Sequence, residues 1–470
     1  MSDYKLWIGG KPVEGVGVMG VINPATEEAF ATIARSDEAL VDRAVESAAE
    51  AQKLWRKTSI AERRQALMKL ADGLNARAEE LAKAITLEQG KPLPDAQGEV
   101  AWAEAFVRIF ADMDLPVETL IDNEEKRVEL HRQPLGVVAC IIPWNFPLHI
   151  ACFKVPNAIL AGNSCIIKPA PTTPVSATIL AEICAEVFPA GLVNTVIDQN
   201  DLGQYLTEHP GVAKVSFTGS TQTGKRVMAS AAGTLKRVTL EMGGNDAAIV
   251  LPDVDVKDVA AKLYQAAFLN CGQVCLAVKR VYAHESIYDD LCDELVRHAE
   301  AAVVGDGFGD GVQFGPVNNR MQYEKLLGLI DGAAKSGKVL CGGKIEGGKG
   351  YFIRPVIVRD VKDGDDIVDQ EQFGPVLPVI SYKNIDDAIA SANRLEVGLG
   401  GSVWSKDLDK ASEIAQEVDS GTVWINTHLD IDPTVPFAGA KQSGIGVEFG
   451  LEGLQEFTQV KVINRSKQAL

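Results

Sequence analysis

The stretch Gly136-Val-Val-Ala-Cys-Ile-Ile142 is a continuous apolar run, which is typical of a parallel β-strand that is buried on both faces. It leads through Pro143-Trp-Asn-Phe-Pro147 into a segment with helical spacing from 149 to about 161. A second apolar strand at 164–168 precedes a helix through about 187, and further strands are predicted at 194–197 and 214–217. Strands that alternate with helices form right-handed crossovers, so we predict a doubly wound α/β sheet.

A second strand–helix alternation begins after residue 243, with an apolar strand at 247–251, and continues to about 443. Because 470 residues exceed what one hydrophobic core holds, this unit indicates a second doubly wound α/β domain. Upstream, short strands and turns are expected over the first forty residues, and amphipathic helices between about 38 and 85 and from 96 to 111.

Two segments outside these units alternate like exposed strands, namely Lys126–Arg132 and Phe457–Ile463. Strands of this kind need a partner edge, so we predict that they pair, within one chain or between subunits. Residues 115–134 and 444–470 would then form a small β element for oligomerisation, in a homodimer or a homotetramer. A solvent-exposed hairpin is the alternative.

Composition limits the possible partners. The chain has 64 acidic and 46 basic residues, a net charge of −18, which repels the phosphates of nucleic acid and anionic lipid. The N-terminal residues lack the basic and apolar regions of a secretory signal, and the chain has no apolar run long enough for a membrane helix. Eight cysteines without framework spacing indicate reduced thiols. We expect a cytoplasmic protein that binds neither nucleic acid nor membrane and holds no metal.

A glycine-rich segment, Gly219-Ser-Thr-Gln-Thr-Gly-Lys225, follows the fourth strand. Its spacing is close to that of a P-loop, but Arg226 occupies the position where that motif needs Ser or Thr for magnesium. The backbone at Gly219 and Ser220 could instead face a dinucleotide pyrophosphate at a helix N-terminus. A simple helix cap is the other interpretation.

Cys275 is a candidate nucleophile because it follows Gly272 and Gln273, which interrupt an apolar run and indicate a loop. A reactive cysteine needs a partly exposed, electropositive setting, whereas most free cysteines are buried packing residues. Glu241 lies beside two glycines rather than on a charged helix face, which is unusual for a merely solvated carboxylate.

Taken together, these motifs resemble the NAD(P)-dependent aldehyde dehydrogenase superfamily over nearly the whole chain. The motifs that carry the resemblance occur in family order: Pro143-Trp-Asn-Phe-Pro147, Lys168-Pro, Phe217-Thr-Gly-Ser220, Leu240-Glu-Met-Gly-Gly244, Gly272-Gln-Val-Cys275, Glu371-Gln-Phe-Gly-Pro375 and Pro436-Phe-Ala-Gly-Ala-Lys441. The resemblance implies an aldehyde dehydrogenase-like fold, with a dinucleotide-binding domain at 1–114 and 135–242 and a catalytic domain at 243–443.

The resemblance also implies catalytic roles. Cys275 would attack the aldehyde to give a hemithioacetal and then a thioester. The amide of Asn145 and the backbone N–H of Cys275 would stabilise the oxyanion, and Glu241 would be the general base for hydrolysis. A variant that transfers the acyl group to coenzyme A, which usually lacks this glutamate, and a non-catalytic scaffold on the same fold are the alternatives. Cys271 either packs in the interior or forms a reversible disulfide that protects Cys275.

For the cofactor, NAD or NADP, the resemblance implies a crevice built from several loops. It is lined by Trp144, Lys168, Gly219, Ser220, Glu371 and Phe373. Pro171 stands where NAD-preferring members often carry an acidic residue, and this leaves the preference between NAD and NADP open. Asn245, where lysine is common, is a second departure without an assigned effect.

The substrate pocket is implied mainly by apolar positions, which favour an aliphatic or aromatic aldehyde of medium size over a charged semialdehyde. Its walls map onto Phe146, His149, Ile150, Phe153, Val274, Leu276, His428 and Phe437. The two histidines are interpreted as packing residues, with hydrogen bonding to a polar substrate group as the alternative.

Overall fold

The computed structural model of the chain describes residues 2–468. The strands are β1 (Ser2–Tyr4), β2 (Leu6–Ile8), β3 (Lys11–Val13), β4 (Gly17–Asn23), β5 (Glu28–Arg35), β6 (Glu118–Asp122), β7 (Lys126–Pro134), β8 (Val137–Ile142), β9 (Ser164–Pro169), β10 (Val193–Thr195), β11 (Val212–Gly219), β12 (Arg237–Met242), β13 (Asp246–Val250), β14 (Val278–His284), β15 (Lys338–Lys344), β16 (Ile353–Arg359), β17 (Val376–Tyr382), β18 (Val397–Gly398), β19 (Gly400–Trp404), β20 (Thr422–Ile425), β21 (Ala440–Lys441), β22 (Gly444–Ile445) and β23 (Thr458–Ser466). The helices are α1 (Glu38–Trp55), α2 (Ile60–Ala76), α3 (Ala78–Gln89), α4 (Leu93–Asp112), α5 (Pro147–Leu160), α6 (Val175–Val187), α7 (Gly203–Glu208), α8 (Thr221–Ala232), α9 (Val256–Phe268), α10 (Tyr288–Glu300), α11 (Arg320–Ser336), α12 (Asp366–Asp369), α13 (Ile385–Asn393), α14 (Leu408–Glu417) and α15 (Gly450–Gln455).

The first large sheet has the strand order β10-β9-β8-β11-β12-β22. Its first five strands are parallel, and β22 pairs with β12 in the antiparallel direction. The predicted alternation of apolar strands with helices is confirmed. Helix α5 begins at Pro147, two residues before the predicted start, because proline is preorganised for the first helical turn.

The second large sheet has the order β15-β16-β17-β14-β13-β19-β20 and is parallel except for β15. It confirms the predicted second α/β unit. Buried aliphatic side chains of β13, β14, β16 and β17 form the centres of its two core clusters. The division of the chain into domains at 114, 134, 242 and 443 remains a prediction.

A third sheet has the order β23-β7-β6. Strands β7 and β23 pair in antiparallel register from Lys126 opposite Ser466 to Pro134 opposite Thr458. The predicted pairing of these two segments is confirmed, and it occurs within one chain.

The loops that carry several of the predicted site residues lie at one edge of the first sheet. Asn145 follows β8, Lys168 lies at the end of β9, Ser220 follows β11 and Glu241 lies near the end of β12. Ligands of open α/β sheets bind outside the carboxyl ends of the strands, so this edge is where a cofactor is expected. Among residues 2–468, no helix is both long and apolar enough to cross a membrane.

Candidate active site

Cys275 lies on the turn that joins α9 to β14. Helix α9 ends at Phe268, and Asn270, Cys271 and Gly272 then take left-handed backbone angles with φ of 50°, 57° and 68°. The turn also passes close to another motif loop, because any side chain at position 272 would overlap the carbonyl of Gly374. The sharp reversal leaves Cys275 half-buried, as a nucleophile that must meet a substrate requires.

Asn145 reaches the same turn from the first sheet. Its side-chain amide donates to the carbonyl of Gln273 at 3.0 Å. Its backbone carbonyl accepts hydrogen bonds from Asn270 Nδ2 at 2.9 Å and from Lys91 Nζ at 3.1 Å. The loop of Asn145 and the loop of Cys275 are therefore fixed to each other on both sides.

Glu241 projects from the end of β12 into the interior, where it is 7% exposed. Burial raises the pKa of Glu241 to about 7, against the opposing effects of the nearby Lys154 ammonium and the Cys275 thiol. Burial also raises the pKa of the Cys275 thiol well above its ordinary value, and the Glu241 carboxylate raises it further, while Lys279 lowers it. The structure thus brings a proton acceptor that titrates near neutrality to the predicted nucleophile.

Sequence reasoning missed two buried ion pairs that surround these groups. Lys154 of α5 bonds to Glu448 Oε1 at 2.5 Å and to Ser216 Oγ at 3.0 Å. Lys91 bonds to Glu99, whose other oxygen accepts the N–H groups of residues 148 and 149 at the start of α5. The lysine inside the apolar run Ala151-Cys-Phe-Lys-Val155 could have indicated a buried ion pair, because a buried lysine needs a partner. The sequence around Glu99 has no comparable pattern.

The predicted pyrophosphate-binding residues lie at the start of α8. Ser220 is exposed, and its Oγ accepts the N–H of Thr223 at 3.3 Å, so the helix-cap interpretation is confirmed for this side chain. A side chain at Gly224 would overlap Met242, which shows how tightly α8 packs on β12. The exposed N-terminus of a well-packed helix fits a bound phosphate group.

The residues predicted to lie near the nicotinamide include two aromatic rings. Trp144 and Phe373 meet edge to face at 5.3 Å. Beside them, Oε1 of Glu371 lies 3.3 Å from Lys279 Nζ but has no hydrogen-bond partner within residues 2–468. A buried carboxylate oxygen that has only this ion-pair contact keeps lone pairs for a ribose hydroxyl. Lys279 was another residue that sequence reasoning missed.

At the adenosine end, Lys168 is nearly fully buried, and its Nζ donates to Asp198 Oδ1 at 2.7 Å. Pro171, three positions further along the chain, is half-buried. This position thus holds the predicted lysine side chain together with a carboxylate that was not predicted. The residues present therefore fit a dinucleotide at all three positions.

The predicted substrate pocket has apolar walls next to Cys275. The half-buried ring of Phe146 and the buried side chains of Ile150, Phe153, Val274, Leu276 and Phe437 all belong to the hydrophobic cluster against which Cys275 packs. Among the other apolar members of this cluster, Leu269 and Phe449 were not predicted.

The two predicted pocket histidines have different surroundings. The ring of His149 lies 4.5 Å from that of Phe106 and 5.7 Å from that of Phe153, and burial lowers the pKa of His149 to about 3. His428 is buried, with Nε2 2.7 Å from the carbonyl of Leu276. His428 thus supports the turn after Cys275 by packing and hydrogen bonding.

Cys271 is buried, and its thiol donates to the carbonyl of Gly315 at 3.2 Å. All eight cysteines are free thiols. Within the described part of the chain, no cluster of His, Cys, Asp and Glu side chains has the arrangement of a metal site.

The sequence and the fold of this chain are both similar to those of known proteins. The model of the aldehyde dehydrogenase family matches residues 13–463. Phenylacetaldehyde dehydrogenase from Pseudomonas fluorescens is 39% identical, with 97% of this chain and 95% of that protein covered. The NAD+ complex of aldehyde dehydrogenase from Bacillus cereus superimposes with a TM-score of 0.96 at 34% identity, covering 99% of this chain and 96% of the other.

A second solved structure, betaine aldehyde dehydrogenase from Staphylococcus aureus in complex with NAD+, has a TM-score of 0.94 at 31% identity over 98% of this chain and 94% of the other. These matches extend over both large sheets and over every motif loop described above. The chain therefore belongs to the aldehyde dehydrogenase family and is an oxidoreductase that acts on aldehydes.

Proposed function

We propose that this protein oxidises an aldehyde to a free carboxylic acid with NAD(P)+, and that Cys275, Asn145 and Glu241 are its catalytic residues. The observation that carries the proposal is the position of Cys275 between two groups that arrive from the other sheet. Glu241, with a pKa of about 7, lies near its thiol, and the amide of Asn145 is bonded to the backbone two residues before it.

In the proposed mechanism, Glu241 accepts the thiol proton, and the sulfur of Cys275 attacks the carbonyl carbon. The amide of Asn145 and the N–H of Cys275 then stabilise the oxyanion, and loss of one such donor costs about 3–4 kcal/mol in comparable enzymes. NAD(P)+ supplies the hydride acceptor when bound. Cys275 retains the acyl group as a thioester. Glu241 then releases the thiol proton to solvent and, ionised again, removes a proton from the water that hydrolyses the thioester.

The cofactor lies, in this proposal, along the carboxyl edge of the first sheet. Lys168 and the loop around Pro171 form the adenosine end, and Gly219 and Ser220 face the pyrophosphate. Glu371 holds the nicotinamide ribose beside the contacting rings of Trp144 and Phe373. The fit of each of these positions to a dinucleotide supports the assignment, as do the NAD+ complexes of two structural relatives.

The proposed substrate is an aliphatic or aromatic aldehyde of medium size without a second charge. The pocket walls are rings and aliphatic side chains from α5, the Cys275 turn and the loop before β21. The depressed pKa of His149 keeps its ring neutral at physiological pH, so it offers no cation to a carboxylate. The similarity to a phenylacetaldehyde dehydrogenase agrees with this choice.

The test is an aldehyde panel run with NAD+ and with NADP+. We expect phenylacetaldehyde and medium-length aliphatic aldehydes to give higher kcat/KM than succinic semialdehyde, with the free acid as product whether or not coenzyme A is present. Formation of an acyl-coenzyme A thioester would assign the transfer reaction instead. No cofactor reduction with any aldehyde would leave only the scaffold alternative.

We also propose a cytoplasmic homo-oligomer. Eight free thiols suit a reducing compartment. The third sheet exposes apolar side chains, among them Leu120, Val460 and Val462, each more than half exposed, and exposed apolar side chains grouped on one small sheet favour an interaction surface.

A further inference from the structure

The adenosine end of the proposed crevice contains a carboxylate from an unexpected part of the chain. Position 171, where an acidic side chain would contact the ribose, is proline. Asp198, on the loop after β10, instead places Oδ1 at 2.7 Å from Lys168 Nζ. Strands β9 and β10 are neighbours in the sheet, so the two side chains meet at the same carboxyl edge.

The position of Asp198 is fixed by its own contacts. Its second oxygen, Oδ2, accepts the N–H of Leu202 at 2.8 Å. The side chain of Asp198 is fully buried, and that of Lys168 is 5% exposed. Because buried charges are screened much less than exposed ones, the electrostatic interaction of Asp198 with any group that approaches Lys168 is only weakly screened.

We propose that Asp198 sets the cofactor preference of this enzyme and favours NAD over NADP. The inference rests on the proposed function, since it takes Lys168 as the ligand of the adenosine ribose. Two acceptors of one ammonium group, each about 2.8 Å from it in tetrahedral directions, lie about 4.6 Å apart. A 2′-phosphate bonded to Lys168 is therefore held close to Asp198, where like charges repel. A neutral 2′-hydroxyl accepts the same bond without that repulsion.

Binding of adenosine nucleotides tests this inference without turnover. Calorimetry on the intact enzyme compares 5′-AMP with 2′,5′-ADP, which differ only in the 2′-phosphate. The wild type binds 5′-AMP more tightly. In Asp198→Asn the ratio of the two dissociation constants shifts toward 2′,5′-ADP by about tenfold or more, and the ratio of kcat/KM for NADP+ to that for NAD+ shifts in the same direction.

Asp201→Asn is the matched control, because it removes the same charge from the same loop at a residue that pairs with Arg35 on the surface. We expect it to change the nucleotide ratio by less than about twofold, since exposed charges are screened. A wild type that binds 2′,5′-ADP at least as tightly as 5′-AMP overturns the inference, and this measurement does not depend on the folding of any variant. An unchanged ratio in a folded Asp198→Asn also overturns it.

These measurements distinguish failure of the role of Asp198 from failure of the proposed function. If the wild type reduces NAD+ with an aldehyde but shows no nucleotide preference, only the role of Asp198 falls. If it neither reduces NAD+ nor binds 5′-AMP, the proposed function falls, and the role of Asp198 falls with it.

Discussion

Glu241 and Cys275 lie where burial favours the neutral form of each, so the thiol keeps its proton at rest while the carboxyl group of Glu241 titrates near neutral pH. The pKa of Glu241 is raised to about 7, and that of Cys275 lies well above its ordinary value. At neutral pH the thiol is therefore protonated, and about half of the Glu241 side chains are ionised. Since the basic form of Glu241 exists above its pKa, activity should rise as the pH increases through about 7.

The buried Lys154–Glu448 pair allows a sharper test of that pH dependence. Lys154 lowers the pKa of Glu241, whereas Glu448 raises it. Lys154→Met should move the acid limb of the kcat/KM profile to higher pH, and Glu448→Gln should move it to lower pH. Profiles between pH 5 and 9 measure both shifts. Movement of the two variants in the same direction would assign the limb to another group.

Substitutions of the two proposed catalytic side chains should have different effects in pre-steady-state kinetics. Cys275→Ala should abolish cofactor reduction, because no thioester forms. Glu241→Gln should slow steady turnover by about 10²–10⁴-fold. A burst of reduced cofactor near one per active site should remain, measured by stopped-flow absorbance, but it should be slower than in the wild type because the thiol proton must then pass directly to solvent. Cys271→Ser, at a buried thiol that bonds only to Gly315, should keep both phases. Loss of the burst together with steady turnover in Glu241→Gln would count against the assignment of Glu241 as the base for hydrolysis.

At the scale of elements, the loop between β8 and α5 is held by the Lys91–Glu99 pair of the α3–α4 region. Glu99→Gln leaves Lys91 buried without a counter-charge, so we expect a loss of about 3–5 kcal/mol in the free energy of unfolding. The double variant Lys91→Met/Glu99→Gln removes the buried charge and should recover part of that loss. Its kcat should still fall, with little change in KM, because the hydrogen bond to the Asn145 carbonyl is gone.

Urea unfolding and steady-state kinetics measure these effects. Glu104→Gln is the control on the same helix, since the Glu104–Arg108 pair is partly exposed and such pairs contribute at most about 1 kcal/mol. A wild-type kcat in the double variant would show that the pair serves stability only.

The elements themselves were largely predictable, because their signals are local. Strand β8 is an uninterrupted apolar run, and a strand buried on both faces needs one. Helix α4 begins at Leu93, before the predicted start at 96, because Pro94 lies in the first turn, where no intrahelical N–H is needed.

The candidate site was only partly predictable, because much of it depends on contacts between distant residues. Cys275, Asn145 and Glu241 could be named from motifs, and the structure brings the three together. Lys154 and Glu448 lie 294 positions apart, and no pattern in either segment identifies the other as its partner. Asp198 carried a usable signal, since it follows an apolar strand at the ligand-binding edge of the sheet.

On the scale of the whole molecule, the site exists only where the two large sheets meet. Glu241 and Asn145 come from the first sheet, Cys275 and Glu371 from the second, and the close approach of Gly272 to Gly374 joins two loops of the second. Movements of one sheet against the other would therefore change the distances on which the chemistry depends. The proposed association of subunits through the third sheet would restrain such movements.

Substitutions on the exposed face of β23 test the proposed association of subunits. Val460 and Val462 are 53% and 54% exposed and lie on the same face, since side chains two apart in a strand point the same way. Val462→Lys should reduce the assembled mass, measured by light scattering after gel filtration, toward the 50.3 kDa of one chain, because burial of an unpaired charge in an interface is costly. Gln459→Lys adds the same charge on the opposite face of the strand and should leave the mass unchanged. Equal masses for the wild type and both variants would place the contact between subunits elsewhere. A lower mass for Val462→Lys alone, with a proportional loss of activity, would show that the active site depends on assembly.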